Sequence, residues 1–243
     1  MALDLRWHES ARTLLRDLIR IDTSNPPGNE LRACELLAEA LAEGGVEPKI
    51  HRVAPERGNL VARLKGEDAR LPPLLLSAHL DVVPADPVGW THPPFAAEEA
   101  DGCIWGRGAI DMKHMAAMAA TVLLRMKAEA VGLRRDVILA CVADEEVGGA
   151  LGAQWLVDNA PDDVRAGVAL GEIGGMSLRL AGRRVYPVQV AEKGLAWLRL
   201  TARGAAGHGS VPDRSSAVVK LARAVEILGR TPLPTRMTPA ARA

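Results

Sequence analysis

Six side chains in this 243-residue sequence could share one piece of chemistry: His79, Asp81, Asp111, Glu145, Glu146 and Glu172. The stretch LLLSAHLDVVPA, residues 74–85, starts as a buried strand and then sets His79 and Asp81 two positions apart, on one face of that strand. Asp111 follows GRGAI and precedes a long helical pattern, Glu145 and Glu146 follow the run VILACVAD, and Glu172 follows AGVALG. Each therefore lies at the carboxyl end of an apolar segment, or in a loop leading off one, which is where open α/β sheets bind ligands. If those strands are neighbours, the six residues converge.

Taken singly, each has a plainer role. The His-x-Asp pair can be a local hydrogen bond, Asp111 a helix cap, the Glu145–Glu146 pair a solvated turn, and Glu172 ordinary surface. Gathered together they conflict, because carboxylates crowded around one imidazole raise one another's pKa values and destabilise the fold; a cation removes the conflict. One imidazole with several carboxylates and no thiolate suits zinc, cobalt or manganese in a catalytic role. Two ions can be served if one carboxylate bridges, and such a pair activates a water and polarises a carbonyl oxygen. Asp81 suits a supporting position, holding the far ring nitrogen of His79 and fixing its tautomer. Of the adjacent glutamates, one can bind metal while the other takes the proton of the attacking water. GRGAID opens like a dinucleotide fingerprint, but Asp111 stands in place of the third glycine and no clear strand precedes it.

The elements that must position these residues follow from periodicity. Leu14, Leu15, Leu18 and Ile19 form a helical stripe that ends near the turn formers TSNPPGNE, and ELRACELLAEALAEGG is a second helix closed by Gly44 and Gly45. PKIHRV, NLVARLKG and LPPLLLSAHL are strand patterns, and residues 83–107 are expected as one long loop. DMKHMAAMAATVLLRMKAEA is a helix, RRDVILACVA a central strand, GGALGAQWLVDNA a helix and AGVALGE a strand. This alternation predicts an α/β fold, a mostly parallel sheet flanked by helices. Beyond it come a hairpin around Gly182, a strand LAWLRLTARG, a helix SSAVVKLARAVEIL and a tail after residue 230.

Thirty basic residues balance thirty acidic ones, so no electrostatic footprint points to nucleic acid or an anionic membrane. No segment approaches the roughly 18 apolar residues of a membrane span, and the charged N-terminus MALDLRWHESARTLLRDLIRID lacks the apolar run of a signal peptide, so a cytoplasmic location is expected. Cys34, Cys103 and Cys141 are odd in number and far apart; they are expected to be reduced, with Cys34 and Cys141 in the core.

The segments SAHLDVVPA…WTHPPF…DGCIWGRGAIDMK and ADEEVGG resemble the signatures of the dinuclear zinc aminoacylase and carboxypeptidase family, and the resemblance runs from about residue 10 to residue 230. It implies a zinc exopeptidase-like catalytic domain over residues 1–192 and, over 193–243, the start of a smaller α+β dimerisation domain. It implies two Zn2+ per site, with Co2+ or Mn2+ as alternatives: His79 and Glu172 on one ion, Glu146 on the other, Asp111 bridging. Asp81 would orient His79, Glu145 would be general base and acid, and His208 in GAAGHGS would reach a partner subunit's site in a homodimer. The reaction implied is hydrolysis of the amide bond of an N-acyl amino acid or short peptide, with WTHPPF and Trp105 as a wall near the metals. Departures from the pattern are Ala78 before the histidine, His114 in DMKHM and the loose LGEIGG. Family members also continue past the point matching Ala243 and supply a last histidine for the second zinc. A non-catalytic, shortened relative that binds at most one metal is the competing expectation.

Overall fold

The computed structural model describes residues 5–172, 177–186, 198–211 and 213–242. The chain divides into two compact units, Met1–Gly174 and Gly175–Ala243. In the first, α1 (Leu5–Arg20) and α2 (Glu30–Glu43) form where the apolar stripes predict them. The first buries Leu14, Leu18 and Ile19, and the second buries Leu31, Cys34, Leu37 and Leu41, a three-to-four spacing that lines one helix face.

Strands β1 (Pro48–Ala54), β2 (Arg57–Leu64) and β3 (Leu74–His79) follow, then a small hairpin of β4 (Glu98–Ala100) and β5 (Cys103–Trp105). That hairpin lies inside residues 83–107, expected as one loop. Asp101 and Gly102 at its tip both have positive φ, 55° and 74°, the geometry that an Asp-Gly pair favours in a two-residue turn. Helix α3 (Lys113–Ala128), strand β6 (Val137–Val142), helices α4 (Ala153–Asn159) and α5 (Pro161–Val164) and strand β7 (Val168–Leu170) complete the unit.

The main sheet has five strands in the order β1-β2-β6-β3-β7. Strand β3 pairs in parallel with β6 and β7, whereas β2 runs antiparallel to both β1 and β6. Four strands thus point one way and β2 alone is reversed, which makes the sheet mixed. The central strand β6 is buried on both faces. Val137, Leu139 and Cys141 pack in the cluster that includes residues of α1, α2 and α3, and Ile138, Ala140 and Val142 pack with Leu156 of α4. The period of two sends alternate residues to opposite helical layers, as the α/β reading requires. Cys34 and Cys141 are buried and Cys103 is exposed, all three as free thiols.

In the second unit, β8 (Leu178–Leu180) and β9 (Arg183–Val185) make the expected hairpin around Gly182. Helix α6 (Ala217–Arg230) is capped by Ser216, whose hydroxyl accepts from the Val219 N–H. The expected strand LAWLRLTARG differs: residues 198–204 have no regular structure, and residues 195–197 lie outside the described residues. A strand exists only through a paired neighbour, and the described residues of this unit offer those seven positions none. The expected domain boundary at 192/193 also lies outside the described residues. Among the described residues, no helix is long and apolar enough to cross a membrane.

Candidate metal centre

Register brings the site together. Strands β3 and β6 pair from Leu74↔Val137 through His79↔Val142, so they end side by side, and Leu80 continues the pairing by donating its N–H to the Val142 carbonyl at 2.8 Å. On the other side of β3, Leu76 pairs with Leu170, which brings Glu172, two residues on, up to the same edge. His79, Asp81, Glu145, Glu146 and Glu172 therefore leave one rim of the sheet, and the turn before α3 delivers Asp111 to it.

His79 is buried and its ring is fixed at both nitrogens. Nδ1 lies 2.9 Å from the Asp81 main-chain carbonyl, a contact in which the nitrogen must donate. Nε2 then faces carboxylates alone: Asp111 Oδ1 at 3.0 Å, Glu172 Oε2 at 3.7 Å and Glu145 Oε2 at 3.8 Å. A neutral ring donating through Nδ1 has only a lone pair to offer these oxygens, so either a proton or a cation belongs between them. Burial opposes charge on His79, yet the hydrogen bond and charge of Asp81, with the charge of Glu145, hold its pKa up at about 9. Burial, with contact to Asp111 and its charge, pushes Glu172 up to about 7. Burial and the Asp111 charge raise Glu146 as well.

Two overlapping sets of potential ligand atoms result, His79 with Glu145 and Glu172, and His79 with Asp111 and Glu146, the atoms of each set lying within 4.8 Å of one another. An imidazole nitrogen with carboxylate oxygens is the donor set of a divalent transition ion, and the conflict of lone pairs and raised carboxyl pKa values is what such an ion relieves. The residues fit the metal.

Asp81 sits behind this cluster, fully buried. Its carboxylate is 3.5 Å from His79 Nδ1, while Oδ1 accepts from the Glu145 N–H at 3.0 Å and Oδ2 from the Glu146 N–H at 3.1 Å and Asn25 Nδ2 at 2.8 Å. Burial works against its ionisation, but the bonds from His79 and Asn25 outweigh it and lower its pKa. The carboxylate thus grips the short 3-10 turn Glu145–Val147 as well as facing the imidazole.

His208 lies in the second unit, exposed, with Nδ1 2.7 Å from Ser210 Oγ and accepting from the Ser210 N–H at 3.3 Å. The Trp90 and Trp105 loops line a cavity of about 360 Å3 together with Arg107, Ile110 and Asp111. Four further polar residues support the site without any local signature: Asn25, Glu30, Arg57 and Asp144, all buried. The buried Lys113 ammonium donates to the Leu18 and Ile21 carbonyls at 2.9 and 2.7 Å, tying the end of α1 to the start of α3 beside Asp111.

Comparison with known proteins is consistent with this site. Aminoacylase-1 of Sus scrofa is 34% identical over 215 residues, 88% of this chain and 52% of that protein. Succinyl-diaminopimelate desuccinylase of Paracoccus denitrificans is 36% identical over 206 residues, 82% of this chain and 50% of that protein. The chain thus spans about half the length of these curated relatives. Among solved structures, human carnosine dipeptidase 1 matches with a TM-score of 0.57 and 23% identity over 72% of this chain and 40% of that one. An M20 family metallo-carboxypeptidase of Sulfolobus solfataricus matches with 0.54 and 23% over 67% and 37%; at this identity both show the fold alone. Residues 75–241, which carry every one of the candidate ligands, match the model of peptidase family M20/M25/M40, and with relatives above 30% identity across most of its length the chain belongs to that family.

Proposed function

We propose that this chain carries the metal centre of a hydrolase that cleaves the amide bond of an N-acyl amino acid or short peptide. The observation that carries the reading is the convergence of His79 Nε2 with Asp111, Glu145, Glu146 and Glu172 at the ends of strands drawn from distant parts of the sequence. His79 and Glu172 would hold one ion and Glu146 a second, and Asp111, 3.0 Å from the imidazole and grouped with Glu146, would serve both. Bound divalent ions, zinc or alternatively cobalt or manganese, would supply Lewis acidity toward the scissile carbonyl and lower the pKa of water. Glu145 takes the proton from the attacking water and returns it to the leaving amine. Asp81 keeps Glu145 and Glu146 in place through their backbone N–H groups. The cavity between Trp90, Trp105 and Ile110, reaching Asp111, takes part of the substrate.

His208 is assigned to the developing oxyanion in a partner subunit's site, within a homodimer built through residues 193–243. Two of the relatives named above are an aminoacylase and a succinyl-diaminopimelate desuccinylase, names that denote removal of an acyl group from an amino acid, which supports this substrate class.

One observation favours a narrower reading. Both candidate sets share His79, so the described residues give a second ion no imidazole of its own. On that reading the chain holds a single ion and has no turnover by itself. The test is hydrolysis of a panel of N-acyl amino acids by the zinc-loaded chain and by Glu145→Gln. Turnover in the parent that disappears in the variant, with metal retained, is the expected result. Turnover that survives the substitution removes Glu145 as the base, and no turnover in the parent favours the narrower reading.

A further inference from the structure

Behind the metal centre lies a continuous run of buried polar groups. Arg57 grips Glu30 with two prongs, Nε to Oε2 at 2.6 Å and Nη2 to Oε1 at 2.9 Å, and Nη2 also donates to Asp144 Oδ1 at 2.9 Å. Its remaining arm donates to the Pro27 carbonyl at 2.9 Å. The Asn25 amide then bridges from Asp144 Oδ1, at 3.2 Å, to Asp81 Oδ2, at 2.8 Å. The far oxygen of Asp144 accepts from the Leu151 N–H at 3.1 Å.

We propose that Arg57 is a positioning residue of the metal centre, acting through Asp144 and Asn25 to set the Glu145–Glu146 turn and the Asp81 carboxylate. The inference rests on the reading of the His79 cluster as a metal site. Three observations support it. Asp144 has φ 70°, a left-handed backbone uncommon outside glycine, and three hydrogen bonds to its side chain fix it there. That conformation turns the chain out of β6 so that the next two N–H groups point at Asp81. Finally, Asn25 ties the two carboxylates together, so a shift of Asp144 is passed directly to Asp81.

Charge and position make opposite demands, which allows the idea to be tested. If Arg57 mattered only as a positive charge near the centre, weakening its hold would leave cation binding unchanged or stronger. If it positions ligands, its hydrogen-bonding fork matters and binding weakens even when the charge is kept.

The experiment uses the full chain loaded with Co2+, comparing the parent with Arg57→Lys and Asn25→Ser. Lysine keeps the charge and loses the fork; serine removes the bridge and leaves the Glu30–Arg57–Asp144 contacts intact. Affinity is read by competition with a chromophoric chelator, ligand geometry by the visible Co2+ spectrum, and folding by far-UV circular dichroism. The expected result is two folded variants whose Co2+ affinity falls about tenfold or more, with an altered spectrum. Parent affinity and spectrum in either folded variant would overturn the proposal. So would outright unfolding of Asn25→Ser, which would mark the network as structural. A parent chain that binds no Co2+ instead refutes the metal reading on which the proposal rests.

Discussion

Gly28 offers the sharpest test of how tightly the polar run behind the site is built. Its φ is +83°, and a β-carbon placed there would lie 2.4 Å from Arg57 Nε and 2.5 Å from Cζ. Gly89 has a similar φ of +97° with nothing within 4 Å of the same position. Alanine at Gly89 therefore meets only the backbone penalty, about 1 kcal/mol. Alanine at Gly28 meets that penalty and must also move the guanidinium by roughly 1 Å to reach ordinary van der Waals contact. Arg57 cannot yield freely, since Glu30, Asp144 and Pro27 hold it at 2.6 to 2.9 Å. A hydrogen bond to a charged group contributes about 1.5–3 kcal/mol, so losing one takes the expected cost of Gly28→Ala to about 2.5–4 kcal/mol. Urea unfolding of the two variants beside the parent measures the difference directly, provided the denaturant slopes agree. Costs within about 0.5 kcal/mol of each other would refute the claim that Arg57 is pinned.

Asp136 accepts from the Gly66 N–H at 2.8 Å, Arg63 at 2.9 Å and Lys65 at 3.0 Å; burial opposes its ionisation, but these partners hold its pKa down at about 2. The folded pKa lies below the unfolded value of about 3.9, so the stabilisation is complete above pH ~4 and is lost as pH falls toward 2. Asp136→Asn is expected to lower stability by about 1 kcal/mol at pH 7, after allowance for solvent screening, and by little near pH 2; denaturation followed across that range checks it. Gly152 has no room for a side chain: a β-carbon would stand 1.8 Å from the Ala143 carbonyl oxygen, and Ala143 leads directly into Asp144–Glu146. Gly152→Ala should therefore destabilise the fold by about 2 kcal/mol or more and weaken metal binding with it, both readable in one thermal and metal titration series.

The convergence of the candidate residues was legible because strand ends are where an α/β sheet presents chemistry, and His79, Glu145, Glu146 and Glu172 each stand at or just after the end of an apolar strand. The helices α1, α2 and α3 were equally legible from apolar spacing. The order of the sheet was not, because nothing local tells β6 to enter between β2 and β3. The same reason hides the supporting network: Asn25 and Asp144 are 119 positions apart, and TSNPPGNE shows by itself only a turn. The β4–β5 hairpin had a local sign in Asp101–Gly102, overshadowed by the proline and glycine around it. LAWLRLTARG shows the opposite error, an alternating pattern without a partner among the described residues.

Calorimetric titration of Zn2+ into the chelator-stripped chain measures whether His79 and its surrounding carboxylates bind metal. His79 belongs to both candidate sets, so the parent should bind zinc saturably and His79→Ala should bind it with lower affinity or stoichiometry. No saturable binding in the parent, or undiminished binding in a folded His79→Ala variant, would contradict the metal reading.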